Sequence, residues 1–239
     1  MSRNNFRDLK KEILGMADIE KAQRDLRFFK TGRGEYAEGD MFLGIAVPVS
    51  RKLARRYHDV DLEEVEELLQ SPYNEERLIG LLVLIEKFEK AEGVSREEKG
   101  IYDFYVKHMG RVNNWNLVDL SASPIVGKYL RDKDREILRV WGKSENLWMR
   151  RIGIVATHFF IKERDYEDTL EMAELLLNDK EDLIHKAVGW MLREMGKMDE
   201  SVLKEFLKKY QKTMPRTMLR YAIERLKEED KESFMKGVF

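Results

Sequence analysis

The sequence predicts an all-α fold, a helical-repeat solenoid. Three observations carry that expectation. Apolar residues recur at helical spacing along most of the chain, without a convincing strand-like alternation. Only four prolines interrupt it: Pro48, Pro72, Pro124 and Pro215. Helices that open on a polar cap and run into an apolar stripe also return at intervals of 32 to 39 residues, the range of paired-helix repeats.

In chain order, the polar stretch MSRNNFRDLKKE lacks the apolar centre of a signal peptide. Next comes KTGRGEYAEGDMFLGIAVP, Lys30 to Pro48, holding Gly32, Gly34, Gly39 and Gly44. It reads as a short β-hairpin or an ordered connector, closed by Pro48, with Ser50 capping the following helix. Phe42 and Leu43 are suited to anchor its base in the core. Its tip, with Lys30, Arg33 and Tyr36, is a candidate ligand contact. No strand precedes these glycines and no GK[ST] follows them, so they are not read as a phosphate loop. DLEEVEELLQ opens on Asp61 and Glu64, a capping-box pair, and SREEKGIYDFYVKHMG repeats the pattern with Ser95 and Glu98. Ser144 is the expected cap of one long helix, ENLWMRRIGIVATHFFIKE.

Five segments align: NEERLIGLLVLIEKF, NNWNLVDLSASPIVG, ENLWMRRIGIVATHF, KEDLIHKAVGWMLRE and MPRTMLRYAIERLKE. Shorter helices such as REILRVWGK, YEDTLEMAELLL and ESVLKEFLKKY lie between them. The seventh positions step 39 residues from Gly80 to Asp119, 32 to Arg151, 35 to Lys186 and 34 to Arg220. This is a HEAT-like period, expected to form a single repeat domain over 1–239, with one helix of each pair outside and the other lining a concave face.

Composition bounds the function. Forty-four Lys+Arg stand against 45 Asp+Glu, so a basic surface can arise only by segregating the two signs. There is no cysteine for disulfides, thiolate metal sites or thiol nucleophiles, and the four histidines have no metal-ligand spacing. No apolar run approaches the roughly 20 residues of a membrane span. A soluble, cytoplasmic protein is the expectation.

The repeat register makes that segregation concrete. Stacked repeats align Arg151, Lys186 and Arg220 as a basic row beside Asp119. Arg51, Lys52, Arg55, Arg56, Lys128, Arg150 and Arg193 are expected to widen the positive surface, while DLEEVEELL and YEDTLEMAE gather acids on outer helices. A phosphate backbone is the natural ligand of such a face. Trp115 precedes Asp119 by four residues, Trp148 precedes Arg151 by three, and Trp190 follows Lys186 by four. Each tryptophan therefore falls on or beside the lining face. Trp141 reads as core.

NNWNLVDL, ENLWMRRIGIVAT and KAVGWMLREMGK, in that order in an all-helical repeat chain, resemble the AlkD-type DNA alkylation repair glycosylases. The similarity runs from about Phe28 to the end of the last repeat. The resemblance implies a HEAT-like solenoid that wraps duplex DNA and removes positively charged N3- or N7-alkylated purines. It makes Asp119 the catalytic carboxylate, Trp115 its partner, Arg151 the matching arginine and Trp190 a second aromatic wall. Phe28 is the nearest match to a further family aromatic, with Phe29 beside it. The glycine-rich segment departs from the family pattern.

The expectation is therefore a monofunctional DNA-3-methyladenine/7-methylguanine-type glycosylase, monomeric, without cofactor or metal and without membrane contact. Its partner is alkylated or distorted duplex DNA. The alternatives are a non-catalytic binder of branched or distorted DNA on the same face, and a protein-binding HEAT scaffold. An acid at position 119 favours the glycosylase, because a phosphate binder gains nothing from a carboxylate in a basic row.

Overall fold

The computed structural model describes residues 2–238, so Met1 and Phe239, the ends of the expected 1–239 domain, lie outside the described residues. The fold is all-α with helical repeats. Among the described residues the β pairing is one isolated parallel bridge, between Met41 and Tyr73. The chain divides into two compact units, Met1–Ser121 and Ala122–Phe239.

The first unit holds α1 (Ser2–Gly15), α2 (Ile19–Phe28), α3 (Val47–Arg56), α4 (Leu62–Gln70), α5 (Asn74–Lys90), α6 (Ser95–Lys107) and α7 (Trp115–Ser121). At its centre, α5 packs against α3, α4, α6 and α7. Its sequence explains this. LIGLLVL, Leu78 to Leu84, is apolar on every side, and all seven residues are buried. Each buried Leu, Ile or Val contributes about 1.5–3 kcal/mol. Gly80 faces α4, where an added Cβ would stand 3.2 Å from the Leu68 Cβ. In this first repeat the seventh position therefore meets the partner helix rather than a lining face.

Capping follows the sequence in part. Asp61 and Glu64 form both bonds of the capping box, each 2.9 Å. Ser95 does not cap α6. The Gly93 turn at φ 85° brings the Gly93 N–H to Glu98 instead, at 3.0 Å. Nor does Ser50 cap α3; it lies buried inside that helix, which starts at Val47 with Pro48 in its first turn.

The second unit opens on a π-helical stretch, Ala122–Gly127, where Pro124 lacks the N–H an α-helical ladder would use. Then come α8 (Glu136–Gly142), α9 (Leu147–Ala156), α10 (His158–Lys162), α11 (Glu167–Leu175), α12 (Asp182–Met198), α13 (Glu200–Tyr210), α14 (Arg216–Ile223) and α15 (Glu228–Lys236). In one layer α9 packs on α12 and α12 on α14, with α8, α11 and α13 flanking them. Gly189 permits the α12–α14 approach, since a Cβ there would lie 2.5 Å from the Met218 carbonyl oxygen.

The long helix expected after Ser144 starts later and is broken. Asn146 caps it, accepting from the Trp148 N–H at 2.8 Å, and Ser144 supports Asn146 instead. The break comes at Thr157, whose hydroxyl donates to the Ile154 carbonyl at 2.7 Å, a back-bond that disturbs helices.

Candidate functional site

In the first unit, α7 presents Trp115 and Asp119 one turn apart on the wall of a cleft of about 500 Å³. Phe28, Phe29, Phe42 and Leu78 supply its apolar lining, with Asp25, Lys21 and Asn116 at polar points around it. Trp115 and Asp119 are half-buried. The rings form a continuous stack. Trp115 lies on Phe29 with centroids 5.0 Å apart, and Phe29 lies on Phe42 at 4.7 Å. Phe28 meets Trp115 edge-on at 5.8 Å and remains 65% exposed. Lys21 and Asp25 form an ion pair along α2.

A buried polar network holds the start of α7. The Asp40 carboxylate accepts from Arg77 Nη2 at 2.6 Å, Asn114 Nδ2 at 2.9 Å and Asn74 Nδ2 at 3.3 Å. Asn114 Oδ1 in turn accepts from the backbone N–H of Trp115 at 2.8 Å. Asn116 donates to Asn74 at 2.7 Å and accepts back at 3.3 Å. Burial lowers the Arg77 guanidinium from its ordinary value, and Asp40 opposes that shift. Arg77 stays protonated, because a guanidinium does not lose its proton in proteins.

The glycine-rich segment is an ordered connector, not a hairpin. Phe42 and Leu43 are buried at its base, as expected. The Glu75 carboxylate accepts from three successive backbone N–H groups, Leu43 at 3.0 Å, Gly44 at 2.8 Å and Ile45 at 3.2 Å. Gly44 is required here. Its φ is 79°, and a Cβ would run into the Asp18 carbonyl and stand 2.8 Å from the Ala22 nitrogen. Lys30, with φ 53°, and Arg33 are exposed at the tip, and Tyr36 is half-buried.

The expected basic row maps onto α9, α12 and α14, which pack in succession, but its members differ. Arg151 is 4% exposed and donates through Nη1 to the Leu183 carbonyl in the first turn of α12. Lys186 is half-buried and pairs with Asp182 at 2.7 Å. Its hydrogen bond, more than any other influence, holds the Asp182 carboxyl below its ordinary value. Arg220 is exposed. Trp190 is half-buried against His158, ring centroids 5.8 Å apart, whereas Trp148 and Trp141 belong to the core.

The surrounding bases divide in the same way. Arg150 is engaged inside the fold. It grips Asp179 through Nε at 2.6 Å and Nη2 at 3.2 Å, and its Nη1 donates to the Ser144 and Glu145 carbonyls. Arg193 is held by Glu194 and Glu224. Arg56 pairs with Glu12 at 2.8 Å and Arg55 with Glu86 at 3.5 Å, though both remain exposed. Arg51 and Lys52 are exposed on α3.

Residues 9–226 match the family model described as DNA alkylation repair enzyme. The chain belongs to that family. Several solved structures share the fold. A predicted DNA alkylation repair enzyme from Enterococcus faecalis is 16% identical with a TM-score of 0.69, covering 89% of this chain and 98% of its own. AlkD2 from Streptococcus mutans is 19% identical with a TM-score of 0.55, covering 94% and 99%. The protein smu.31 from Streptococcus mutans UA159 is 18% identical with a TM-score of 0.52, covering 94% and 98%. No curated protein matches the sequence. Membership of that family points to DNA alkylation repair, an enzymatic role on DNA. Among the described residues no helix is long and apolar enough to cross a membrane.

Sequence reasoning missed Asp40, Phe42 as a ring of the cleft, Arg77 and Asn114. One signal was available: a single arginine at the head of LIGLLVL needs a buried partner.

Proposed function

We propose that this member of the DNA alkylation repair enzyme family is a monofunctional DNA glycosylase. It hydrolyses the N-glycosidic bond of positively charged N3- or N7-alkylated purines in duplex DNA, as a cytoplasmic monomer and without metal or cofactor. The observation that carries the reading is Asp119, a carboxylate on the wall of a cleft lined by Phe28, Phe29, Phe42 and Trp115.

Alkylation gives the purine a positive charge and makes it a good leaving group. As the bond from C1′ to nitrogen breaks, the base keeps the electron pair and the sugar becomes oxocarbenium-like. A carboxylate about 4 Å away is worth roughly 4 kcal/mol at an effective dielectric of about 20. That corresponds to about a thousandfold in rate. Asp119 also orients the attacking water and accepts its proton, later released to solvent, as the water oxygen bonds C1′. The electron-rich face of an indole favours the same positive charge, which is the role proposed for Trp115. Arg51 and Lys52 in the first unit, and Lys186 and Arg220 in the second, are proposed to hold phosphates; Trp190 is proposed to support binding in the second unit, and Arg151, bonded inward to Leu183, to keep α9 against α12. Selectivity then comes from the charge and lability of the lesion.

The test is duplex DNA carrying one N7-methylguanine beside an otherwise identical duplex carrying the uncharged O6-methylguanine, assayed for free base. Release from the cationic lesion alone is expected. No release from either contradicts the reading.

A further inference from the structure

We infer that Asp40, in the glycine-rich segment, is a positioning residue for the Trp115–Asp119 helix. The inference rests on the glycosylase reading for its kinetic part, and on geometry alone for the rest. Two separate contacts run from this segment to Trp115. Asp40 bonds Asn114 at 2.9 Å, and Asn114 bonds the Trp115 N–H at 2.8 Å, which fixes the first residue of α7. Two residues on, the Phe42 ring backs Phe29, whose other face carries the Trp115 indole. Backbone and side chain of Trp115 are therefore set from one six-residue stretch, Asp40 to Ile45, whose own backbone is clamped by Glu75.

The chemistry of the network favours a fixed geometry. Asp40 is 8% exposed and Arg77 is 1% exposed. A buried carboxylate that accepts from a guanidinium and two amides tolerates few other arrangements, because any shift strands a charge or a polar group. A plain connector needs only its apolar anchors, Phe42 and Leu43. It has no need of a buried acid bonded to the residue before the catalytic helix. Asp119 then inherits its place from Asp40 through one turn of helix.

The test uses the full chain labelled with 5-fluorotryptophan. Each of the four tryptophans gives its own fluorine resonance, and Trp115→Phe assigns the one from position 115. In Asp40→Asn the Trp115 resonance is expected to shift or broaden well below the melting temperature, while those of Trp141, Trp148 and Trp190 stay in place. Single-turnover release of N7-methylguanine is expected to fall by about tenfold to about a hundredfold, the cost of a small misplacement. Affinity for unmodified duplex is expected to stay within about threefold. If Asp40→Asn does not fold, Asn114→Ala, which keeps the Asp40–Arg77 pair, carries the same expectation. An unmoved Trp115 resonance with a wild-type release rate overturns the inference. If the wild type releases no base, the glycosylase reading fails, and the fluorine spectra alone decide the positioning role.

Discussion

The indole of Trp115 lies flat on the ring of Phe29, centroids 5.0 Å apart and planes 14° from parallel. This stack separates the jobs of two adjacent phenylalanines. Phe29 is 9% exposed and supports the indole, whereas Phe28 meets it edge-on at the mouth of the cleft with most of its ring in solvent. Phe29→Ala should therefore lower stability by about 3–5 kcal/mol, the usual cost of truncating a buried aromatic. Phe28→Ala should change stability by less than about 1 kcal/mol yet weaken binding of alkylated duplex. Chemical denaturation and a binding titration on both variants check this. Equal losses of stability would mean that the two rings share one role.

Arg150 and Arg220 should behave oppositely. Arg150 and Asp179 are 14% and 5% exposed in their side chains, so Arg150→Ala strands a buried carboxylate and should cost about 3 kcal/mol of stability. Arg220 is exposed. Arg220→Ala should leave stability within about 0.5 kcal/mol. The slope of log affinity against log salt should fall by about one, the mark of a lost phosphate contact. Melting curves and salt titrations on unmodified duplex separate the two effects.

Gly44→Ala should be among the most damaging small substitutions. The residue sits at φ 79°, and its Cβ would collide with the Asp18 carbonyl. A loss of about 1–3 kcal/mol is expected from the backbone conformation alone. Gly39→Ala has φ 85° but nothing within 4 Å of the added Cβ, so it should cost less. Denaturation midpoints of the two variants give the comparison.

His158 sets a pH dependence. Burial is the main reason its imidazole is depressed below 6.5, with Lys162 and Lys197 pushing the same way and Glu194 against them. A depressed folded-state value means that the unfolded chain takes up the proton first. Stability should be fully present above 6.5 and should fall as pH drops through that value towards the folded-state value. His158→Gln should flatten the decline between about pH 7 and about pH 5. Melting temperatures across that range test it, and an unchanged slope would remove His158 as the cause.

How much of this was legible in the sequence depended on how local the cause was. The Asp61–Glu64 capping box spans four residues and forms as read. The run Leu78–Leu84 was legible as a helix, and it is one, but it is buried on all sides rather than along one stripe. Trp115 and Asp119 share a face because helix geometry puts i and i+4 together. The failures are long-range. Arg151 and Arg150 looked like surface bases, but their partners Leu183 and Asp179 stand 32 and 29 residues further on. Asp40 gave no local signal, because its partners Asn74, Arg77 and Asn114 lie 34, 37 and 74 residues away. Ser95, Ser144 and Ser50 had the right residue type for caps, but α6 follows the Gly93 turn, α9 is capped by Asn146, and α3 already starts at Val47 with Pro48 in its first turn.

Whether the Asp119 carboxylate stabilises positive charge on the sugar is read from single-turnover release of N7-methylguanine by Asp119→Asn. The substitution keeps size and shape, removes the charge and turns one acceptor oxygen into an amide donor. The account predicts a rate at least about a hundredfold below wild type. Affinity for unmodified duplex should be unchanged or higher, since a negative charge has left a surface that meets phosphates. A variant that releases base within about threefold of the wild-type rate, well short of the effect of a lost charge stabiliser, would contradict it.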